Sequence, residues 1–146
     1  MNNEDHFRNL EEMYDAAPIN DFFIPTMTVT EGEAVIEIDL GEKFHHPAGA
    51  VHGSVYFKML DDAAFFAVNS LEKEVFVVTT SFTTYLTRPV SEGKMKAIGK
   101  VVNMNKSQFI AEAIVYDSND KEIGRGHGIF VRSKQLLSET RGYRNA

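Results

Sequence analysis

The sequence predicts an α+β fold in which an antiparallel sheet of about five or six strands wraps around one long helix. The first observation is that residues 54–71 are apolar on nearly every helical face, which is typical of a helix buried on all sides. The second is that four β-rich segments follow this helix at short intervals. The third is that two shorter β-branched segments precede it. Together they place one helix inside a single layer of strands.

The segments before the central helix are a helix, a hairpin and a loop. Residues 4–15 carry apolar side chains at helical spacing, with acids in the first turn, and predict a short amphipathic helix. Residues 26–30 and 33–40 flank Glu31-Gly32 and predict two antiparallel strands joined by a tight turn. Residues 42–51 contain Pro47 and Gly49 and are expected to form a loop.

The segments after the helix predict a meander of strands at 75–88, 94–104, 108–117 and 121–132. The polar residues 133–146 are expected to form a frayed tail. A sheet wrapped around a helix that lies between its second and third strands is the hotdog architecture, here a single domain over residues 1–146 with its core at about 26–132. Because the edge of such a sheet is usually completed by another subunit, we expect a homodimer or a homotetramer made of two dimers.

Composition excludes several classes of function. The chain is 43% hydrophobic and 25% charged, as in ordinary globular proteins, and it contains no cysteine for thiolate, disulfide or cysteine-metal chemistry. Its net charge of −6 argues against general nucleic-acid binding. Residues 1–42 hold 11 acids and one arginine, so the rest of the chain is net positive and could bind an anionic small molecule.

We expect a cytoplasmic protein with no membrane partner. The first residues lack the basic and apolar regions of a signal peptide. Charged residues interrupt the longest apolar stretch before it reaches the roughly 18–20 residues of a membrane span.

The window around the start of the central helix carries the most specific signal. His52-Gly53-Ser54 is followed by Asp61 nine positions after the histidine, and His46 lies six positions before it. This segment resembles the HGG-x(6)-D signature of hotdog-fold acyl-CoA thioesterases of the PaaI-like, phenylacetate-degradation type, and the resemblance extends over about residues 30–132. It implies hydrolysis of an acyl-CoA without metal or redox cofactor, with Asp61 as nucleophile or general base and the Gly53 amide as oxyanion donor.

Elementary physics agrees with those two roles. An N–H at a helix start directs a hydrogen bond and the positive end of the helix dipole at a developing oxyanion, and glycine allows close approach. Burial of Asp61 in an apolar helix should raise its pKa toward the working range of a base. Nine helical steps place His52 and Asp61 on opposite faces, about 13 Å apart along the axis. We therefore predict a composite site in which Gly53 of one subunit faces Asp61 of another.

Three further candidate catalytic residues each have two possible roles. His52 either transfers protons or orients the helix start, and His46, where the family commonly has asparagine, either polarises the carbonyl or caps the loop. The family often holds a hydroxyl residue on the long strand, and counting from Arg88-Pro89 gives Thr79, with Thr80 as the alternative if the register slips. The residue preference of strands explains a threonine there equally well.

Coenzyme A would need cations for its phosphates, and we name Arg88, Arg125 and Ser54 as its candidate contacts. Ser54 replaces the second glycine of the signature and could alter the shape of the site. Other cations of residues 43–146 could bind a phosphate, but solvent-exposed positions on one face of the sheet explain them equally well: Lys94, Lys96, Lys100, Lys106, Arg132 and Lys134.

Other side chains have structural readings. Asp62 is expected to pair with Lys58 on the helix surface. The four histidines His45, His46, His52 and His127 offer no metal cluster. The helical aromatics Phe57, Phe65 and Phe66 could shape an acyl pocket or simply fill the core. Gly124, Gly126 and Gly128 share one strand face and indicate either a bend of the sheet or a substrate groove.

Two alternative functions stay open at this point. A hotdog dehydratase or hydratase would act on a hydroxyacyl or enoyl thioester, although this chain lacks the helical glutamate of those enzymes. A non-catalytic acyl-CoA-binding domain is favoured by the departures at Ser54 and His46.

Overall fold

Six antiparallel strands form one sheet in the computed structural model, which describes residues 1–145. Along the sheet the strand order is β1-β2-β4-β5-β6-β3, which leaves β1 and β3 at the two edges. The strands are β1 (Thr26–Thr30), β2 (Glu33–Leu40), β3 (Val75–Leu86), β4 (Gly93–Met104), β5 (Phe109–Tyr116) and β6 (Glu122–Leu136). The predicted α+β hotdog fold is confirmed.

Three α-helices accompany the sheet in residues 1–145. They are α1 (Asn3–Ala16), α2 (Asn20–Phe23) and α3 (Gly53–Asn69), and short 3₁₀ turns lie at Glu42–Phe44, Leu137–Glu139 and Tyr143–Asn145. The central helix α3 packs against five of the strands, β2 to β6, and its inward residues Met59, Leu60 and Ala63 are fully buried. No helix within the described residues is long and apolar enough to cross a bilayer.

A glycine on β4 lets the helix lie directly on the sheet. A Cβ added at Gly99 would come within 2.2 Å of the Ala63 carbonyl oxygen. Only a residue without a side chain fits between the strand and the helix backbone at this point. The contact fixes the height of α3 over the sheet, and so the position of every side chain on its outer face.

The glycines of β6 serve packing between strands. A Cβ at Gly126 or Gly128 would come within 2.5 Å of the Phe82 ring, which belongs to the neighbouring strand β3. Phe82 also stacks edge-on against Phe57 of α3, with ring centroids 5.7 Å apart. The glycines therefore make room for an aromatic side chain between sheet and helix, which neither of the two sequence readings anticipated.

The prediction of a frayed tail from residue 133 is wrong for the described part of that segment. Strand β6 continues to Leu136, and Leu137 is fully buried. The Tyr143 hydroxyl lies 2.7 Å from Nδ1 of the buried His6 in α1, whose Nε2 lies 2.8 Å from the Asn69 carbonyl. A few apolar residues of this polar segment pack against residues that are distant in sequence. Local composition therefore does not reveal these contacts.

Candidate active site

Asp61 lies in the middle of α3, half-buried, with its carboxylate turned toward the edge strand β3. Oδ1 of Asp61 accepts a hydrogen bond of 2.9 Å from the Thr79 hydroxyl. The neighbouring Thr80 donates instead to the Ile129 carbonyl oxygen, 3.1 Å away. Because successive strand residues point to opposite faces, only one of the two threonines can reach the helix, and it is Thr79.

Burial raises the pKa of Asp61 to about 6. The hydrogen bond from Thr79 and the charge of Lys58 act in the opposite direction, while the neighbouring charge of Asp62 adds to the rise. Asp61 is therefore ionised near neutral pH and is a stronger base than an ordinary surface carboxylate.

Asp62 has different partners, although it is the next residue. It forms an ion pair with Lys58 one turn earlier on α3, as expected from their spacing. Its Oδ2 also accepts a 2.7 Å hydrogen bond from the Tyr14 hydroxyl of α1. Asp61 thus faces the strand, whereas Asp62 is tied to the N-terminal helix.

Asp61 opens into a cavity of about 890 Å³, which we call the acyl-side cavity. Its walls come from the outer face of α3, from β3, from the segment joining α1 to α2 and from the C-terminal turn. The aromatic residues Phe57, Phe65 and Phe66 of α3 all contribute to its lining, as does Ser54. These three phenylalanines therefore line a cavity, and Phe66 is also buried in the core.

The start of α3 presents an unused backbone donor. His52 is the N-cap, and its Nδ1 accepts a 3.0 Å hydrogen bond from the Ser54 amide, with the Ser54 hydroxyl 2.8 Å away. The Val55 amide donates to the His52 carbonyl. The Gly53 N–H has no acceptor among the described residues, so it is free to bind an oxyanion at the positive end of the helix dipole.

A second cavity of about 330 Å³, which we call the helix-start cavity, lies at this end of α3. It is lined by His46, Gly53, Tyr56, Leu86, Arg88 and a few neighbouring residues. Nδ1 of His46 accepts a 3.1 Å hydrogen bond from the Ala48 amide, so this ring caps its own loop. Arg88 is exposed there and pairs with no carboxylate of the described residues.

Within one chain the two candidate groups stay apart. Asp61 lines the acyl-side cavity beside Thr79, whereas Gly53 lines the helix-start cavity beside Leu86. Asp61 and Gly53 are eight positions apart on α3, which is about 12 Å along the helix axis at 1.5 Å per residue. A single thioester carbonyl cannot touch both the Asp61 carboxylate and the Gly53 amide of the same chain.

Most of the other cations named as possible phosphate contacts or as solvent-exposed residues of the sheet are paired with acids of the same chain. Arg125 forms a 2.7 Å ion pair with Glu122 on the exposed side of β6. Residues of β4 pair with acids of β2 and of the turn before β6: Lys94 with Asp39, Lys100 with Glu33 and Lys96 with Asp120. The acidic N-terminal part of the chain and the basic remainder thus meet across neighbouring strands. No group of three histidine, aspartate or glutamate side chains suited to a metal ion occurs within residues 1–145.

Sequence reasoning missed Tyr14 as a residue of this region. In the sequence Tyr14 was only one apolar member of an amphipathic helix, and its partner Asp62 lies 48 residues away. Residues 18–23, which complete the wall of the acyl-side cavity, carried no periodic signal. Only the docking of α1 onto α3 identifies them.

Comparison with known proteins assigns the family. Residues 48–123 match the thioesterase superfamily, which is more than half of the chain. The chain is 26% identical to a protein of Saccharolobus solfataricus that is named as an esterase, over 75% of this chain and 73% of that one. It is also 26% identical to the 1,4-dihydroxy-2-naphthoyl-CoA hydrolase of Listeria monocytogenes, over 67% of this chain and 80% of that one.

Solved structures show the same fold. The PaaI protein of the E. coli phenylacetic acid degradation operon superimposes with a TM-score of 0.83 at 19% identity, covering 92% of this chain and 97% of that one. A thioesterase of Haemophilus influenzae superimposes with a TM-score of 0.75 at 16% identity, covering 86% and 88%. The resemblance found in the sequence is thus confirmed, and the chain belongs to the thioesterase superfamily, as a thioester hydrolase with the hotdog fold.

Proposed function

We propose that the protein hydrolyses acyl-coenzyme A thioesters of the kind acted on by PaaI-like enzymes, with Asp61 as nucleophile or general base and the Gly53 amide as oxyanion donor. The observation that carries this proposal is the environment of Asp61. Its carboxylate is half-buried, hydrogen-bonded by Thr79, free of any ion pair and open to a large apolar cavity. The CoA hydrolase among the relatives supports a coenzyme A thioester as substrate.

The groups account for each step of the reaction. As a general base, ionised Asp61 takes a proton from water while the water oxygen bonds to the thioester carbon, and the carbonyl electrons move to oxygen. The Gly53 N–H stabilises that oxyanion. When the carbonyl re-forms, the C–S bond breaks and the proton held by Asp61 passes to the departing thiolate. As a nucleophile, Asp61 would instead attack the thioester carbon, break the C–S bond and expel the coenzyme A thiolate, which leaves a mixed anhydride. Water then adds to the acyl carbon of the anhydride, the Asp61 carboxylate leaves, and the proton released from the water goes to the thiolate.

We further propose that the chain forms the oligomer expected from the sequence and that each site is shared between two copies. β3 is an edge strand with an unpaired outer side, and its residues Tyr85 and Leu86 are each 52% exposed. Antiparallel pairing of two β3 edges would complete the sheet and run the copies in opposite directions. The Gly53 end of one copy would then lie near Asp61 of its partner, which closes the gap that one chain leaves open.

Arg88 is the best-placed candidate to bind a phosphate group of coenzyme A. It lines the same cavity as Gly53 and has no carboxylate partner in the described chain. Of the other two residues named from the sequence, Ser54 lines the cavity of Asp61 and not that of Arg88, and Arg125 is already paired with Glu122. A guanidinium suits a phosphate because its planar donors match two phosphate oxygens.

The test follows thiol release from a panel of acyl-CoAs. Wild type is expected to release free coenzyme A, and Asp61→Asn to lose roughly 10²–10⁴-fold in kcat, the usual contribution of a general acid or base. The matched control is Asp62→Asn, the same change at the next residue, which should retain most of the activity. Equal rates for wild type and Asp61→Asn would rule out the mechanism.

Two other outcomes would assign a different function. Addition of water to an enoyl-CoA without thiol release would indicate a hydratase. Binding of acyl-CoA with no chemical change would indicate a non-catalytic domain.

A further inference from the structure

The acyl-side cavity has one wall that belongs neither to the central helix nor to the sheet. Residues 13–23, which we call the N-terminal wall, connect the end of α1 to α2 and close the cavity opposite β3. We propose that this wall is a specificity-determining element of the enzyme and that it favours thioesters with large apolar acyl groups, aromatic or of medium chain length. The inference rests on the proposed function, because it takes Asp61 to mark the reacting carbonyl.

The size and lining of the cavity define this acyl class. A volume of about 890 Å³ is near the upper end of the range typical of small-molecule pockets. Aromatic rings follow one another along it, with Phe65 5.0 Å from Phe66 and 5.1 Å from Phe76 between centroids. A two-carbon acyl group would leave nearly all of this apolar surface in contact with water, whereas a benzoyl or octanoyl group would cover more of it.

The N-terminal wall is held to α3 by a small polar cluster. The Tyr14 hydroxyl donates to Asp62, and Lys58 pairs with the same carboxylate. The Lys58 ammonium also lies 4.9 Å from the centroid of the Phe23 ring, and so contacts the far end of the wall. Inside the wall, the buried Asn20 amide donates a 2.7 Å hydrogen bond to the Tyr14 carbonyl oxygen.

The two neighbouring acids of α3 therefore have different roles, Asp61 in the reaction and Asp62 in the selection of the acyl group. Asp61 is oriented by Thr79 on the sheet side, while Asp62 anchors the wall through Tyr14. A rigid wall gives a cavity of fixed size, so acyl groups are sorted by how well they fill it. Tyr14, Asp62 and Lys58 act here as positioning residues, since they hold the wall and do not touch the reacting atoms.

A pair of matched substitutions tests the wall. Ile19 is 58% exposed and lines the cavity, whereas Ile24 is 69% exposed and lies outside its lining. In Ile19→Trp the larger ring narrows the cavity, and kcat/KM for octanoyl-CoA and benzoyl-CoA should fall about tenfold relative to butyryl-CoA. Ile24→Trp, the same change five residues later, should keep the wild-type ratios.

Several results would overturn the inference. One is a wild type that prefers butyryl-CoA. Another is an Ile19→Trp variant whose ratios of kcat/KM between substrates are those of wild type, whether its activity is retained or falls equally for all substrates. Loss of the oligomer in Ile19→Trp, measured by light scattering, would show that the cavity receives a second copy of the chain and not an acyl group. If wild type releases thiol from none of the substrates, the proposed function itself has failed.

A second variant tests the anchor with little risk to folding. Tyr14→Phe removes the hydroxyl and keeps the ring, which packs edge-on against Phe66 with centroids 4.9 Å apart. We expect KM for octanoyl-CoA to rise several-fold while kcat for butyryl-CoA and the far-UV circular dichroism stay unchanged. An equal change for both substrates would assign Tyr14 a purely structural role and remove the anchor from the proposal.

Discussion

The acyl-side cavity and the helix-start cavity lie on the same helix, but they differ in chemistry. The first is large, aromatic and built around a carboxylate whose pKa is about 6. The second is small and contains the Gly53 amide and the unpaired Arg88. The first is suited to an acyl group and a base, and the second to an oxyanion and a phosphate, so each holds half of what thioester hydrolysis requires.

The position of a residue along α3 therefore determines which of these two environments it meets. Asp61 is half-buried in the middle of the helix, and this burial raises its pKa. In the first turn His52 caps the Ser54 amide, and the Gly53 N–H has no acceptor among the described residues. In the proposed dimer a second subunit joins the two halves, and each prediction below alters one half while the other stays intact.

The largest effect after that of Asp61→Asn is expected at Gly53, where the donor itself can be removed. Proline is favoured at the first position of a helix, and the extended backbone of His52 suits a residue before proline. Gly53→Pro should lower kcat roughly 10²–10³-fold, as the loss of an oxyanion-hole donor does. Gly53→Ala is the control, because it adds a Cβ but keeps the N–H.

The same variant tests whether a site is shared. Gly53→Pro and Asp61→Asn are each expected to be nearly inactive alone. After subunit exchange at equal amounts, half of the dimers are mixed and each mixed dimer has one intact composite site, so about a quarter of wild-type activity should return. Absence of recovery after demonstrated exchange would place both groups in one chain's site.

The next largest effect is expected at Thr79, on the acyl side. Thr79→Val keeps the shape and removes the hydrogen bond to Asp61, so kcat should fall roughly tenfold, the value of a bond to a charged group. Because that bond lowers the pKa of Asp61, the acid limb of the pH profile should move to higher pH. Thr80→Val should leave both quantities as in wild type, since that hydroxyl bonds the Ile129 carbonyl.

A smaller effect is expected at Arg88, on the helix-start side. Arg88→Ala should raise KM for acyl-CoA about two- to fivefold at low salt, with kcat nearly unchanged, because an exposed ion pair contributes little. The difference should shrink as salt is added. Arg125→Ala is the control, and a rise in KM there equal to that of Arg88→Ala would refute the assignment.

The smallest effects concern the charges around Asp61. Asp62 raises the pKa of Asp61 and Lys58 lowers it. Since the ionised carboxylate is the active form, Asp62→Asn should move the acid limb of kcat/KM below pH 6 and Lys58→Met should move it above, each by about half a unit. Shifts in the same direction for both variants would contradict the electrostatic account.

Much of the fold could be predicted from local patterns. The apolar run of α3 and the alternating strands follow from burial on one or both faces, and turns such as Glu31-Gly32 separate them. The central helix starts one residue before the predicted position, at Gly53. The tail was mispredicted because Leu137 and Tyr143 dock onto residues far away in sequence.

The sequence by itself determined the spacing of the candidate site. The nine helical steps from His52 to Asp61 fix their separation, and period-two alternation lets only one of Thr79 and Thr80 reach Asp61. Only the tertiary contacts show that Asp62 is hydrogen-bonded to α1 whereas Asp61 faces a cavity. They also determine which cations form ion pairs among the described residues, and they place residues 13–23 along the acyl-side cavity. Those features depend on strand register and helix docking across tens of residues, which local periodicity does not encode.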